Sequence, residues 1–189
     1  MDIQKNISLA QYTTFKIGGP AENFVIVKSI KEVQEAISFA KENNLEIFIL
    51  GGGSNLLISD HGIKGLVIKL DLQNIEFSNT QVIVGAGVSL AFLASQALDQ
   101  GLIGLEFTAG IPGTVGGAVR GNAGTFGQGM NVVVVGVKYL DENFKYQEMT
   151  NKQAGFAYRH SIFKEKPYII LETSLGLQMG DVATAKKLM

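Results

Sequence analysis

The stretch EIFILGGGSNLL, residues 46–57, joins a nearly all-apolar strand to a turn of three glycines. Upstream of it, residues 23–28 form a β-branched and aromatic run that predicts another strand. Between the two, Ser29 stands three residues before Glu32, the capping-box spacing, and apolar residues then recur at helical period up to Asn43. Strand, helix and strand in this order form the βαβ pattern, which predicts that the two strands are parallel neighbours.

Downstream of the glycine turn, the sequence predicts a second group of elements. Further strands are predicted at residues 65–70, 81–84, 131–139 and 168–178. Ser89 caps an amphipathic helix that ends with Gly101 in the C′ position, and Asp181 opens a short helix near the end. The polar stretch 76–80 leads us to place a boundary near residue 71. We therefore predict an α+β fold with two subdomains, 1–71 and 72–189.

Composition excludes several classes of protein. The 189 residues are 46% hydrophobic and 17% charged, which is typical of a folded chain and not of a disordered one. Sixteen Lys and Arg against seventeen Asp and Glu give no basic field, so we expect no nucleic-acid or membrane partner. Cysteine is absent, and neither histidine has a second imidazole at ligand spacing, so we expect no metal. The sequence has no long apolar run and does not start with an apolar segment, so we expect a soluble, cytoplasmic protein.

The turn at residues 51–57 is the first candidate ligand site. Glycines permit positive φ and leave backbone N–H groups uncovered, so such a turn can form a nest around a phosphate. It does not match the dinucleotide fingerprint, because the third glycine would fall at Leu56 and residues 56–59 predict a strand rather than a helix. No P-loop motif is present either. The alternative is a tight loop between strands that binds nothing.

The segment GIPGTVGGA, residues 110–118, is the second candidate. Its small residues let a flat ring or a phosphate lie against bare backbone, and Pro112 suits the first turn of a helix. The alternative, a helix packed closely on a sheet, accounts for Gly116 and Gly117. It does not account for all ten glycines between residues 101 and 129. We therefore favour ligand binding for this segment.

The segment FAYRHSIFK, residues 156–164, is the third candidate. The chain has fourteen Lys and only two Arg, Arg120 and Arg159, so its ordinary surface charge is carried by Lys. Arginine suits bidentate recognition of a carboxylate or a phosphate. Both arginines lie in motif-like segments, which favours a functional role over the alternative of a solvated surface side chain.

Taken together, six segments in order resemble the UDP-N-acetylenolpyruvoylglucosamine reductases, the UDP-N-acetylmuramate dehydrogenases of peptidoglycan synthesis. The segments are TFKIGGPA at 14–21, GGGSNLL at 51–57, GLEF at 104–107, GIPGTVGGA at 110–118, NAG at 122–124 and YRHSIF at 158–163. The resemblance implies an α+β FAD-binding fold of the vanillyl-alcohol-oxidase (PCMH) type, in which two subdomains clasp an extended FAD. It also implies a role in cell-wall biogenesis, and with it in cell shape and cell division.

The resemblance further implies non-covalent FAD, NADPH as the hydride donor and a UDP-sugar substrate whose enolpyruvyl group is reduced to give UDP-N-acetylmuramate. The implied catalytic residue is Arg159, which binds the enolpyruvyl carboxylate and stabilises enolate charge, and Tyr158 beside it shapes the substrate pocket. The implied FAD-binding residues are Gly51, Gly52, Gly53, Ser54, Asn55, Leu56, Gly110, Ile111, Pro112, Gly113, Thr114, Gly116, Gly117, Asn122 and Gly124.

Family members continue into a third, substrate-binding domain that contains a proton-donating serine and a late glutamate, and neither segment is found in these residues. Ser161 belongs to the Tyr-Arg-x-Ser motif, which the family has in addition to its proton donor. We therefore expect this chain to bind FAD but to turn over poorly. The alternatives are an oxidase of the same fold, a non-catalytic flavin-binding module and a nucleotide-binding module without flavin.

Overall fold

The computed structural model describes residues 1–188, and the chain divides into two compact units. The first unit is Met1–Leu72 and the second begins at Gln73. Each unit is built on its own main sheet.

A four-stranded sheet of order β1-β2-β4-β3 forms the first unit. Its elements are β1 (Gln4–Ser8), a 3-10 turn (Leu9–Tyr12), β2 (Pro20–Val27), α1 (Ile30–Glu42), β3 (Ile47–Leu50) and β4 (Ile63–Leu70). Strand β1 is antiparallel to β2, whereas β2 and β3 are each parallel to β4. As predicted, Ser29 caps α1, and its hydroxyl accepts a hydrogen bond from the Glu32 N–H at 3.2 Å.

The prediction that β2 and β3 are neighbours is wrong, because β4 lies between them. Leu66, Val67 and Ile68 of β4 are fully buried, so this strand suits the centre of the sheet, with a partner on each side. Three of the four residues of β3 are only half-buried, as expected for an edge strand. The β-strand, helix, β-strand unit is therefore present, but its crossover passes over one strand.

The prediction of a strand at residues 56–59 is also wrong. The chain from Gly51 to Gly62 is irregular. The Ser59 carbonyl accepts a hydrogen bond from the Gly19 N–H at 2.9 Å, and buried Ile58 packs in the cluster that contains Leu9 and Phe24. These contacts fix the segment against residues 9–24 instead of in a sheet.

The second unit contains a five-stranded antiparallel sheet of order β5-β6-β10-β8-β9. Its strands are β5 (Ile75–Ser78), β6 (Gln81–Gly85), β8 (Val134–Leu140), β9 (Tyr146–Thr150) and β10 (Ile169–Gly176), and a small ribbon pairs β7 (Leu102–Ile103) with β11 (Gln178–Met179). Its helices are α2 (Leu90–Asp99), α3 (Val115–Gly121), α4 (Ile162–Glu165) and α5 (Val182–Leu188). The edge strands β5 and β9 were not predicted: they are only four and five residues long, and most of β5 lies in the stretch 76–80 that was interpreted as polar.

Two helix ends in this unit bear on the sequence predictions. Helix α2 is capped by Ser89, and Gly101 has φ +74°, as predicted for the C′ position. Pro112 does not lie in the first turn of α3, because Thr114 is the N-cap and its hydroxyl accepts from the Gly117 N–H. Gly113, with φ +127°, keeps the residues before Thr114 out of helical geometry.

Buried Thr173 provides a test of the core of the second unit. It lies on β10 between Val84 and Val137 and is fully buried, and its hydroxyl has no hydrogen-bond partner among residues 1–188. Thr173→Val removes an unsatisfied hydroxyl while keeping the side-chain shape, so we expect the free energy of unfolding to rise by about 1 kcal/mol. Urea denaturation monitored by circular dichroism measures this change.

The matched control is Thr108→Val. Thr108 is equally buried, but its hydroxyl donates to the Leu105 carbonyl at 2.6 Å. We expect the free energy of unfolding of this variant to fall by about 1 kcal/mol, because a satisfied hydrogen bond disappears and the Leu105 carbonyl keeps only the bond from the Thr108 N–H, at 2.9 Å. Equal destabilisation by the two substitutions would contradict the assignment of Thr173 as unsatisfied.

Candidate functional site

The first glycine turn follows β3 and is fixed by contacts inside the first unit. The Gly53 carbonyl accepts from the Thr14 N–H at 3.2 Å, and the Gly51 carbonyl accepts from the Lys69 ammonium at 3.0 Å. Gly53 is buried with φ +67°, and a Cβ at this position would lie 1.9 Å from the Tyr12 carbonyl oxygen. Glycine is therefore required at position 53 by close approach of the chain to itself.

Beyond Gly53, the turn presents hydrogen-bond donors. Within the described chain, the backbone N–H groups of residues 54–57 find no acceptor. The side chain of Asn55 is exposed and that of Ser54 is half-buried. Uncovered N–H groups with short polar side chains form the kind of nest that holds a phosphate, so the donor set fits the predicted pyrophosphate.

Lys69 adds a positive charge beside this turn. Burial lowers the pKa of its ammonium group, and the Asp71 carboxylate opposes that effect. The ammonium contacts the carbonyl of Gly51, at the start of the turn. Lys69 could not be predicted as a site residue, because it is one of fourteen lysines and lies at a strand end that the motifs do not include.

Gly53→Ala tests the fit of this turn. We expect FAD affinity to fall by about 100-fold or more, because the new methyl group must displace the backbone of Tyr12 and disturb the donors that follow. The control is Gly101→Ala, which has a similar φ of +74° but meets only the Met179 side chain at 3.5 Å. That variant should lose about 1 kcal/mol of stability and keep its affinity for FAD. Fluorescence titration with FAD measures both, and an equal loss in both variants would contradict the prediction.

The glycines of the second segment are of two kinds. A Cβ at buried Gly116 would lie 2.8 Å from the Cβ of Ala86, so this glycine allows close packing of α3. Gly110 and Gly117 are exposed, and a Cβ would meet nothing within 4 Å at Gly110 and only the Thr114 hydroxyl, at 3.6 Å, at Gly117. Close packing therefore explains Gly116. It does not explain Gly117, although the alternative of a helix packed closely on a sheet accounted for both glycines.

A cleft of about 440 Å³ in the second unit brings together residues that the sequence had placed in separate motifs. The residues that line it are Asn122, Gly124, Thr125, Phe126, Gly127, Gln128, Gly129, Asn131, Phe156, Ala157, Tyr158 and Arg159. It thus joins Asn122 and Gly124, predicted to bind the cofactor, with Tyr158 and Arg159, predicted to bind the substrate. The other predicted cofactor residues of this unit, from Gly110 to Gly117, are not among its described lining residues.

Tyr158 and Arg159 form the tip of a tight turn. Ala157 and His160 exchange two backbone hydrogen bonds, each 3.1 Å long. Arg159 has φ 54°, which is unusual for a residue with a side chain and is worth a functional explanation. Its guanidinium carbon lies 5.8 Å from the ring centroid of Tyr158, within cation–π range. Both side chains are exposed to approach from solvent.

Ser161 follows this turn but is not available for chemistry. Its side chain is fully buried, and its hydroxyl donates to the Arg120 carbonyl at 2.8 Å. This geometry supports the expectation that Ser161 is not the proton donor.

Phe126 is the most exposed large hydrophobic residue among the cleft residues that lie outside the sequence motifs. It is 99% exposed and has φ 53° in the loop between Gly124 and Gly127. A full exposure of this kind is rare for a phenylalanine, but the sequence alone cannot indicate it, because an apolar residue is ordinarily expected to be buried.

Two negative findings apply to residues 1–188. No helix there is long and apolar enough to cross a membrane. The same residues contain no cluster of three or more His, Cys, Asp or Glu side chains placed to hold a metal ion.

Comparison with known proteins identifies the family. Residues 21–149 match the family described as FAD binding domain. The chain is 42% identical over 185 residues to the UDP-N-acetylenolpyruvoylglucosamine reductase of Caldanaerobacter subterraneus subsp. tengcongensis, covering 97% of this chain and 61% of the relative. It is 40% identical over 181 residues to the enzyme of the same name from Clostridium novyi, covering 95% and 59%.

Solved structures agree with these matches. The crystal structure of UDP-N-acetylenolpyruvylglucosamine reductase from Thermus caldophilus has a TM-score of 0.87 at 31% identity and covers 100% of this chain and 67% of that one. A solvent-stable cholesterol oxidase has a TM-score of 0.67 at 17% identity, covers 93% of this chain and 37% of that chain, and shows the fold alone.

The chain belongs to the FAD binding domain family. Its resemblance to the UDP-N-acetylenolpyruvoylglucosamine reductases, predicted from six ordered motifs, is confirmed, and so is the α+β FAD-binding fold. The chain spans about three fifths of the length of the curated relatives that it matches.

Proposed function

We propose that this chain is the FAD-binding part of an NADPH-dependent reductase that converts UDP-N-acetylglucosamine enolpyruvate to UDP-N-acetylmuramate. The observation that carries the proposal is the 42% identity to such a reductase along 97% of the chain. The cleft agrees with it, because Tyr158 and Arg159 lie there with Asn122 and Gly124. The product is a peptidoglycan precursor, so we place the reaction in the cytoplasm, as part of cell-wall synthesis.

Each unit has its own glycine segment, and the residues proposed to bind FAD are those predicted from these segments. The uncovered N–H groups after Gly53 would bind the pyrophosphate, and the open faces of Gly110 and Gly117 leave room for a ligand against the backbone. These residues would hold FAD non-covalently, and FAD would supply two-electron redox chemistry with NADPH as the reductant and the enolpyruvyl group as the acceptor.

Arg159 is the residue proposed to act on the substrate. Its guanidinium is permanently charged and presents donors in a planar fork that matches a carboxylate. Held at the tip of a tight turn, it would bind the enolpyruvyl carboxylate and stabilise the negative charge that develops when the double bond is reduced. Tyr158 would limit the orientations of that guanidinium through its ring.

Saturation of the enolpyruvyl double bond requires one hydride and one proton. The hydride adds to one carbon of the double bond, and the other carbon takes the proton. Ser161 is buried and donates to a carbonyl, so it does not supply the proton. In the proposed enzyme the proton donor lies in the part of the relatives that these residues do not match, consistent with the sequence resemblance.

The test is a chimaera that joins this chain to the C-terminal two fifths of the Caldanaerobacter relative. We expect NADPH oxidation that depends on UDP-N-acetylglucosamine enolpyruvate, with UDP-N-acetylmuramate as the product detected by mass spectrometry. Hydrogen peroxide release without reduction of the UDP-sugar would instead support an oxidase. A bound flavin that NADPH does not reduce would support a non-catalytic flavin-binding module.

A further inference from the structure

Asn122 occupies an unusual position at the end of α3. It is the C-cap residue, with φ 43° and ψ 54° in the left-handed region, and it is only 9% exposed. Asparagine tolerates this conformation better than most residues with a side chain, so the position favours Asn or Gly. A glycine would satisfy the backbone, and the choice of Asn therefore points to the side chain.

Both ends of the Asn122 amide are engaged by backbone groups. Its Nδ2 donates to the Ala157 carbonyl at 2.8 Å, and its Oδ1 accepts from the Asn131 N–H at 3.0 Å. These partners lie 35 and nine residues away along the chain. Because one contact needs a donor and the other an acceptor, the amide fits in one orientation only.

Ala157 and Asn131 both line the cleft and come from different segments of the chain. Ala157 begins the turn that carries Tyr158 and Arg159, and Asn131 lies in the short 3-10 turn Met130–Val132 that follows the glycine-rich loop. The Asn122 side chain thus links both segments to the end of α3.

Ser161 provides a second anchor on the far side of the same turn. Its buried hydroxyl donates to the carbonyl of Arg120, in the last turn of α3, where helix carbonyls lack partners within the helix. The turn is therefore held at Ala157 and at Ser161, and the exposed tip lies between the two anchors. An arginine side chain on an untethered turn would sample many positions, and a displacement of about 1 Å is enough to cost about 100-fold in rate.

We propose that Asn122 is a positioning residue that, together with Ser161, fixes the Tyr158–Arg159 turn against the end of α3. The importance of Arg159 for catalysis rests on the proposed function. The anchoring of the turn by Asn122 and Ser161 does not depend on it. It gives the Asn122 side chain a role different from the direct FAD contact that the sequence motif predicted.

The test exploits the scarcity of arginine in this chain. An arginine-specific protease has only two target sites, after Arg120 inside α3 and after Arg159 in the turn. Cleavage after Arg159 requires local opening of the turn, so its rate reports how firmly the turn is held. The chain is used without flavin, and fragments are quantified by mass spectrometry.

Two substitutions separate the contacts of Asn122. Asn122→Gly suits the positive φ and removes both hydrogen bonds, whereas Asn122→Asp keeps the acceptor for Asn131 and loses the donor to Ala157. Both variants lose the bond to Ala157, which is the one that holds the turn. We therefore expect both to accelerate cleavage after Arg159 by about tenfold, the equivalent of one lost hydrogen bond of about 1.4 kcal/mol. Ser161→Ala removes the other anchor and should do the same. The matched control is Asn79→Gly, at an exposed turn residue of this unit with φ 53°.

Selectivity distinguishes positioning from general destabilisation. Positioning predicts faster cleavage after Arg159 with an unchanged rate of cleavage by a lysine-specific protease after Lys138, which lies on β8 with a paired strand on each side. Arg120 cannot serve as the reference, because Ser161 donates to its carbonyl and Asn122 caps the same helix. Parallel acceleration after Arg159 and Lys138, or rates equal to those of Asn79→Gly, would overturn the proposal. A weaker affinity for FAD in Asn122→Asp with unchanged cleavage would overturn it in favour of direct contact. Because proteolysis needs neither FAD nor substrate, failure of the proposed function leaves this test intact.

Discussion

The 189-residue chain loaded with FAD should produce UDP-N-acetylmuramate more than about 10⁴-fold more slowly than the chimaera with the C-terminal part of the Caldanaerobacter relative. Loss of a general acid alone typically costs about 10² to 10⁴ in rate. Loss of the groups that hold the substrate adds to that cost, because the enolpyruvyl carbon is no longer kept close to the hydride donor. The buried hydroxyl of Ser161 offers no substitute.

The measurement is a steady-state assay with both proteins at equal flavin concentration, with product quantified by mass spectrometry. The chimaera controls for the integrity of this chain, since it contains the same residues. Turnover by the isolated chain within tenfold of the chimaera would show that these residues suffice, and the assignment of the proton donor elsewhere would be wrong.

Arg159→Lys in the chimaera should lower kcat by about 10² to 10³, the usual cost of removing one preorganised donor to a developing oxyanion. Lysine keeps the positive charge but loses the planar fork and its paired donors, so the loss isolates geometry from charge. The affinity for FAD should not change, because the predicted contacts of Arg159 are with the substrate.

Arg120→Lys is the matched control, since Arg120 is the other arginine and is exposed on α3. Its interaction with Ser161 uses the backbone carbonyl, which the substitution leaves in place. We expect kcat within about twofold of the unmodified chimaera, as for most surface substitutions. Equal losses in the two variants would contradict the role given to Arg159.

The sequence predicted the elements with strong local signals. The capped helices α1 and α2 and the apolar strands β2, β4, β6 and β10 follow from hydrophobic periodicity and capping residues. Neighbours in a sheet depend on non-local pairing, which is why the place of β4 between β2 and β3 was not predicted. The edge strand β5 alternates apolar and polar residues, but at four residues it is too short for this pattern to be recognised.

The glycine motifs predicted two ligand-binding segments, but they did not separate the roles of the individual glycines. Gly53 and Gly116 are required by the protein's own packing, whereas Gly110 and Gly117 face open space. The two kinds of glycine look alike in the sequence, because they differ only in which atoms of the folded chain a Cβ at that position would meet. Similarly, the motif that contains Asn122 predicted a ligand contact but not the hydrogen bonds of its side-chain amide to Ala157 and Asn131.

Whether this chain holds FAD can be measured by its visible absorption spectrum after incubation with FAD and desalting. We expect a retained flavin band close to one equivalent per chain, reduced to a small fraction by Gly53→Ala. A colourless protein whose circular-dichroism spectrum shows a folded chain would contradict the proposed function, because neither the donors after Gly53 nor the open glycines of the second segment would then hold the cofactor.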